Sequence, residues 1–373
     1  MNVLALEPYY NGSHRAFLDG WQSRSRHQWT ILGLPCYKWK WRMRHSAVTF
    51  AEKVNQQLTD GHHWDAIFCS DMLNLAEFLG LVSPHLRQLP TVVYFHENQL
   101  TYPDRHQQER DLQFAFTNFT TALAATGVWF NSRFHQDSFL EGLRDFLSHM
   151  PDYKSLELVD SIEAKARIYS PGVDTFPVRK PRKPGPLRIL WAARWEHDKD
   201  PDCFFEALKL LQQSGADFRL SVIGPQFQQI PSVFELAHEH FSDYIDHWGY
   251  QQSRSQYEAA LIKADVIVST AQHEFFGISV VEAISAGAYP LLPNRLAYPE
   301  LLGGANTDEF FYDGSPEVLT KQLISLTEHI SSKNDIWGGN PDRARTKVAR
   351  FQWNTVSSIL DNAFVSLVDH HIQ

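Results

Sequence analysis

Ala264-Asp265-Val266-Ile267-Val268-Ser269-Thr270, followed two residues later by His273-Glu274-Phe275-Phe276-Gly277-Ile278-Ser279-Val280-Val281-Glu282-Ala283, is the stretch that decides the fold. The first seven residues are a short, nearly continuous apolar run, the pattern of a strand buried on both faces of a parallel sheet. Residues 278–286 then read as a helix that stops at Gly287. Strand, loop and helix make one step of an α/β fold. That step puts Glu274 at the strand's carboxyl end and Glu282 a turn into the helix, facing the crevice where open α/β sheets bind ligands. Phe276-Gly277 opens the helix with backbone N–H groups that suit phosphate or hydroxyl oxygens. Solvated glutamates at a helix end give the same spacing, so context has to decide.

Working outward, apolar runs at 2–6, 29–34, 66–70, 91–96, 128–131 and 167–169 predict strands, and 47–60, 73–80, 109–125 and 134–147 predict helices. This alternation predicts a doubly wound parallel sheet. Pro177-Val178-Arg179-Lys180-Pro181-Arg182-Lys183-Pro184-Gly185-Pro186 suits neither element and marks a linker. Strands at 187–192, 218–223 and 245–247 then alternate with helices at 207–213, 234–240 and 255–263. The expected organisation is an N-terminal α/β domain at 1–176, the linker at 177–186, and a second α/β domain at 187–350. A helix within 351–373 has apolar positions at Val356, Ile359, Leu360, Phe364, Leu367 and Val368.

A chain of 373 residues with 43% hydrophobic content supports two packed cores. It holds no apolar run of membrane-spanning length and opens straight into a strand without a signal peptide's basic start. Cys36, Cys69 and Cys203 lack metal-ligand spacing and leave an odd number for pairing, so a reducing cytoplasm is expected. The histidines at 62–63, 238, 240 and 370–371 also lack partners at ligand spacing, and no metal is expected.

The net charge of −9 speaks against nucleic acid, but its distribution matters more. Residues 1–45 carry seven Lys or Arg against two acids, a local charge of +5. Within them Lys38-Trp39-Lys40-Trp41-Arg42-Met43-Arg44-His45 alternates cations with large apolar side chains at a strand-like period. Such interleaving grips phosphates and stacks exposed bases. An edge strand or an amphipathic segment with buried tryptophans and solvated cations fits the same letters.

Beyond the strand at 187–192 stand Arg194 and Lys199, two cations that could meet a phosphorylated ligand or simply pair with Glu196 and Asp198. Gly249-Tyr250 ends another strand, and His96 ends the fourth strand of the first half, a position that favours function over structure.

The Glu274, seven residues, Glu282 arrangement with Phe276-Gly277 resembles the donor site of the retaining nucleotide-sugar glycosyltransferases of family 4. The resemblance implies a GT-B fold, two Rossmann-like doubly wound domains facing each other across a cleft, with the last helix crossing back to the first domain. It implies that Glu274 contacts the hydroxyls of the transferred sugar and that the amides of Phe276, Gly277 and Ile278 hold that sugar. Glu282 would bind the ribose, Arg194 and Lys199 would hold the diphosphate, and Gly249 and Tyr250 would line the base pocket. Gly12 keeps one glycine of the family's phosphate loop, with Asn11 in place of the other, and His96 would reach the sugar. Gly172 in Tyr169-Ser170-Pro171-Gly172-Val173-Asp174 matches a family turn in which Asn usually stands at the Pro171 position. Such enzymes need no divalent ion and are expected to transfer on one face, the leaving phosphate taking the acceptor's proton.

Several blocks resemble more specifically the tRNA-queuosine mannosyltransferases: Gly12-Ser13-His14, Lys38-Trp39-Lys40-Trp41-Arg42, Phe95-His96-Glu97-Asn98-Gln99, Arg194-Trp195-Glu196-His197-Asp198-Lys199 and His247-Trp248-Gly249-Tyr250. This resemblance implies GDP-mannose as donor and the queuosine of the tRNA wobble position as acceptor. His14, Lys38, Lys40, Trp41, Arg42, Arg44, Glu97, Asn98, Tyr102, Arg105 and Arg110 are then candidate contacts to that acceptor. The residues alone give a sugar-nucleotide site and an RNA-facing patch. They leave open a polysaccharide or lipid acceptor, for which the basic octet would dock on a membrane, and a noncatalytic RNA-binding protein on the same scaffold.

Overall fold

The structure, a computed structural model, describes residues 1–101, 112–177, 182–226, 230–303, 307–340 and 342–372. It divides into two compact units, one of Met1–Gly172 with Trp353–Gln373, the other of Val173–Gln352.

Six parallel strands form the sheet of the first unit: β1 (Asn2–Glu7), β2 (Gln28–Gly33), β3 (Ala66–Ser70), β4 (Thr91–Phe95), β5 (Gly127–Phe130) and β6 (Ala166–Ile168). Their spatial order is β2-β1-β3-β4-β5-β6, so the winding reverses between β1 and β3. The second unit repeats the plan with β7 (Leu187–Ala192), β8 (Phe218–Ile223), β9 (Ile245–Gly249), β10 (Val266–Val268), β11 (Tyr289–Pro293) and β12 (Phe311–Tyr312). Here the order is β12-β11-β10-β7-β8-β9, with the reversal between β7 and β10. At a reversal the two crossover helices leave to opposite sides, and the carboxyl ends of the strands line an open crevice.

Central strands are buried along their whole length, as the uninterrupted apolar runs require. Close backbone approach fixes one glycine beside the second reversal: a Cβ on Gly224 would overlap the Ala193 carbonyl at the end of β7.

Two expectations change. Seven residues of the octet, 39–45, are helical, part of Trp39–Thr59 with Lys38 as its N-cap, whereas the alternation reads as strand and the helix was expected only from 47. Met43, Ala47, Phe50, Ala51 and Val54 are its buried residues, a 3.6-residue stripe that begins inside the octet, and no β-branched residue stands there to oppose a helix. Of the stretch 177–186, residues 178–181 lie outside the described residues. Arg182 bonds to Asp265 (3.1 Å) and Asn334 (2.7 Å), which ties the stretch's carboxyl half into the second unit, and the division falls earlier, between Gly172 and Val173.

The closing helix Trp353–Ile372 packs within the first unit, with Val356, Leu360, Phe364 and Val368 buried among Val3, Ala5, Trp21 and Trp129. Asp361, 3% exposed, anchors it by accepting from Trp21 Nε1 (2.7 Å), Ser25 Oγ (2.7 Å) and the Arg26 amide (2.8 Å). Asp361→Ala strands these donors and should lower stability by about 3 kcal/mol in denaturant unfolding followed by tryptophan fluorescence. A loss below about 1 kcal/mol would show that the anchor is ornamental.

Candidate functional site

In the second unit the chain leaves β7 and turns through His197–Lys199, a single 3-10 turn. Its backbone is stitched to the segment after β10: the amides of Gln272 and His273 donate to the Asp198 carbonyl (2.8 and 3.2 Å), and Thr270 Oγ1 donates to the Lys199 carbonyl (2.7 Å). Gln272 Nε2 adds a bond to Asp200 (2.6 Å). The two strand ends at the reversal are therefore one rigid piece.

On that piece Lys199 is 5% exposed, and its ammonium donates to the His273 carbonyl (2.5 Å) beside Asp198 (3.0 Å) and Glu274 (3.5 Å). Arg194, half-buried, lies 4.0 Å from the same Asp198 oxygen and 3.3 Å from Glu196. Burial pushes the Glu274 carboxyl up, but Lys199, Arg194 and the Phe276 amide outweigh it and hold its pKa below the ordinary value of 4.5. His273 is driven down to about 4, by burial first and by Lys199 second. The site thus presents a charged carboxylate and two cations with a neutral imidazole beside them.

Gly277 precedes the helix Ile278–Ser285 with φ +90°, a conformation that favours glycine, and a Cβ there would press on Tyr298 at 3.0 Å. The Phe276 ring is buried against Phe351, so only its backbone can serve a ligand, as can that of Ile278 at the helix start. Glu282, on the same helix, has its own setting. Its oxygens take Tyr257 Oη (2.7 Å) and Arg254 Nη2 (2.9 Å), while burial still holds its pKa above the ordinary value despite Arg254. Gly249 adopts φ +85° at the end of β9, and Tyr250 beyond it is exposed.

The first unit gathers a second polar cluster at its own reversal. Glu7, at the end of β1 and fully buried, accepts from the Tyr9 amide (2.8 Å), Ser70 Oγ (3.0 Å) and His14 Nδ1 (3.1 Å). His14 sits in the helix Gly12–Gln22, whose first residue has φ +52°. Burial opposes the His14 imidazolium, yet Glu7 overrides it and lifts its pKa to about 9. The His14 ring lies 4.1 Å from that of His96, whose pKa is held well below its ordinary value by burial and by His14. Asp71, buried after β3, accepts the His96 amide (2.9 Å), and burial raises its pKa to about 8.

The structure accordingly brings Arg194, Lys199 and Glu274 together, leaves Glu282 further along the helix with separate partners, and pairs His14 with His96. Glu97 is half-buried next to His96. Asn98 spends its side-chain oxygen on its own turn, accepting from the amides of Leu100 and Thr101 (both 3.0 Å) and from Thr101 Oγ1, while its buried Nδ2 has no partner among the described residues. Lys38, Lys40, Trp41, Arg42 and Arg44 share the first turns of the helix Trp39–Thr59, with Trp41 60% exposed. Tyr102, Arg105 and Arg110 lie outside the described residues. Reading the sequence missed Glu7, Asp71, Asp198, Arg254 and Tyr257. Asp198 was the most accessible of these, flanked by the two cations it joins.

Residues 2–173 match the model of the tRNA-queuosine alpha-mannosyltransferase N-terminal family, and residues 173–338 that of glycosyl transferases group 1. A tRNA-queuosine alpha-mannosyltransferase of Drosophila melanogaster is 36% identical over 337 residues, 87% of this chain and 86% of that one. A GDP-mannose:cellobiosyl-diphosphopolyprenol alpha-mannosyltransferase of Xanthomonas oryzae pv. oryzae is 26% identical over 52% of this chain and 50% of its own. Among solved structures, sucrose-phosphate synthase of Thermosynechococcus elongatus (TM-score 0.71, 14% identity, 99% of this chain and 100% of that one) and Anabaena HepE in complex with UDP (0.67, 14%, 98% and 100%) share the fold, which is GT-B.

Replacing the buried ammonium tests the pairing directly. Lys199→Met should raise the Glu274 pKa, read by carboxyl NMR titration. A depressed folded-state pKa stabilises above the ordinary value and loses that contribution as pH falls through the folded pKa. The stability difference between wild type and Lys199→Met should therefore shrink on acidification below 4.5. A Glu274 titration unmoved by the substitution would refute the assignment.

Proposed function

The chain belongs to the family of tRNA-queuosine alpha-mannosyltransferases, and from that premise we propose that it moves mannose from GDP-mannose, with retained configuration, onto queuosine at the tRNA wobble position. It is a hexosyltransferase with the GT-B fold. The observation that carries the reading is the buried Lys199 ammonium held against Glu274 at the reversal of the second sheet.

As the sugar bond breaks, charge accumulates on the leaving diphosphate. Cations already fixed in place stabilise that state more than the ground state. Lys199 is fixed by three oxygens, and Arg194 shares one of them. With these two cations the diphosphate needs no divalent ion. Glu274, kept ionised, accepts hydroxyls of the mannosyl group, while the Gly277 and Ile278 amides face the same sugar. Glu282, oriented by Arg254 and Tyr257, takes the ribose, and Gly249 with Tyr250 borders guanine. The leaving phosphate accepts the proton of the attacking hydroxyl. A tRNA substrate and three unpaired cysteines support a cytoplasmic location.

The helix Trp39–Thr59 favours RNA over a lipid surface. Alternation no longer separates the two, because residues 39–45 are helical. Met43, Ala47 and Phe50 are consumed by the unit's own core, and outward stand Trp39, Trp41 and Val48 with the octet's cations between the rings, an interleaving that suits bases and phosphates. No helix among the described residues is long and apolar enough to cross a membrane.

Labelled GDP-mannose incubated with queuosine-containing tRNA should label the nucleoside, and tRNA lacking queuosine should stay unlabelled; equal labelling of both overturns the acceptor. Arg194→Ala should cost about 10²- to 10³-fold in kcat, and Glu274→Gln should abolish transfer with the fold intact. In a separate measurement, changing Lys38, Lys40, Arg42 and Arg44 to Ala should weaken tRNA binding and flatten its salt dependence while sparing donor hydrolysis. An unchanged salt slope removes that helix from the interface.

A further inference from the structure

We propose that Glu7, His14 and His96 form a binding site for one divalent transition-metal ion of the Zn²⁺ type. Three observations in the first unit carry it. Each residue offers a ligand atom, and the three atoms lie within 4.8 Å of one another. Bonds of about 2.0–2.1 Å in a tetrahedral site put neighbouring ligands about 3.4 Å apart. Glu7 Oε2 and His14 Nδ1 are 3.1 Å apart, inside that span, and no pair in the cluster has to close from more than 4.8 Å.

His96 Nε2 is buried and has no hydrogen-bond partner. An imidazole nitrogen so placed costs free energy until something binds it, and a bare ion enters where a larger ligand does not.

The third observation is the support behind the ligands. The Tyr9 amide and Ser70 Oγ both bond Oε1 of Glu7, which aims Oε2 at His14. The His96 backbone is clamped from both sides, its amide by Asp71 and its carbonyl by Asn131 Nδ2 (3.0 Å). Ligands oriented in this way by outer partners characterise metal sites. Two imidazoles and one carboxylate suit zinc and its neighbours over calcium or magnesium. The three donors leave a coordination position for an oxygen ligand. This ion is distinct from the charge neutralisation assigned to Arg194 and Lys199, and its binding does not depend on which sugar or acceptor the enzyme uses.

The test titrates the full chain, stripped with a chelator, with Co²⁺ alone. One Co²⁺ per chain should bind with a visible d–d band that Zn²⁺ abolishes. His14→Gln and His96→Gln should each weaken binding at least tenfold with unchanged far-UV circular dichroism. X-ray absorption of the Zn²⁺-loaded wild type should give two imidazole ligands with an oxygen shell, a readout that stands even where a variant fails to fold. Absence of stoichiometric binding overturns the proposal. So does binding undiminished in both variants, which would assign the ion to exposed histidines such as His62 and His63, or an absorption spectrum without two imidazoles.

Discussion

An ammonium withdrawn from water must be repaid in oxygen contacts, and Lys199 is the charge on which the second unit's site turns. Its three oxygen neighbours come from both sides of the β7–β10 reversal: Asp198 from the segment after β7, the His273 carbonyl and Glu274 from the segment after β10. An unpaired charge at this depth is prohibitive, so the pairing fixes the geometry of both strand ends together. The backbone stitching through Asp198 and Thr270 then leaves little freedom for either. A site that must stabilise charge developing in a transition state benefits from this rigidity, because its dipoles and cations need no reorganisation.

The first unit meets the same topological opportunity with different chemistry. Its reversal lies between β1 and β3, and there too a buried carboxyl is the organiser: Glu7, which accepts from the Tyr9 amide, His14 and Ser70. One reversal gathers cations around a carboxylate, suited to an anionic donor. The other gathers imidazoles around a carboxylate, suited to proton, hydroxyl or metal chemistry. Two repeats of one α/β plan are thereby specialised by the few residues that follow the strand ends, while the strands themselves stay apolar and interchangeable in kind.

The fold was legible because central parallel strands are buried on both faces and announce themselves as apolar runs; the stretch at 264–270 is an example. Glu274, Lys199 and Arg194 were legible through their place just after such runs. The Glu7 cluster was not. Its ligand atoms come from β1, the following helix and the end of β4, so His96 stands 89 residues beyond Glu7 and no local spacing betrays the contact. Tyr257 and Arg254 were hidden similarly, since their helix meets Glu282 only through tertiary packing. Asn98 shows half of its chemistry locally: its oxygen bonds the backbone two and three residues on, as asparagine does in turns, while its buried Nδ2 has no partner among the described residues.

The basic octet shows how a helix can imitate a strand. Lys38, Lys40, Arg42 and Arg44 alternate with apolar residues, but a helix sorts by 100° steps, so Met43 turns inward while Trp41 two residues earlier stays out. The cations then find rings close by: Lys40 over Trp39 at 5.6 Å and Arg44 over Phe114 at 5.0 Å. Exposed pairs of this kind contribute only about 0.5–1 kcal/mol each, too little to account for leaving Trp41 in water. Trp41 lies 4.8 Å from the His45 ring, and with the proposed tRNA substrate its outer face and the cations beside it would meet the bases and phosphates of a single-stranded loop.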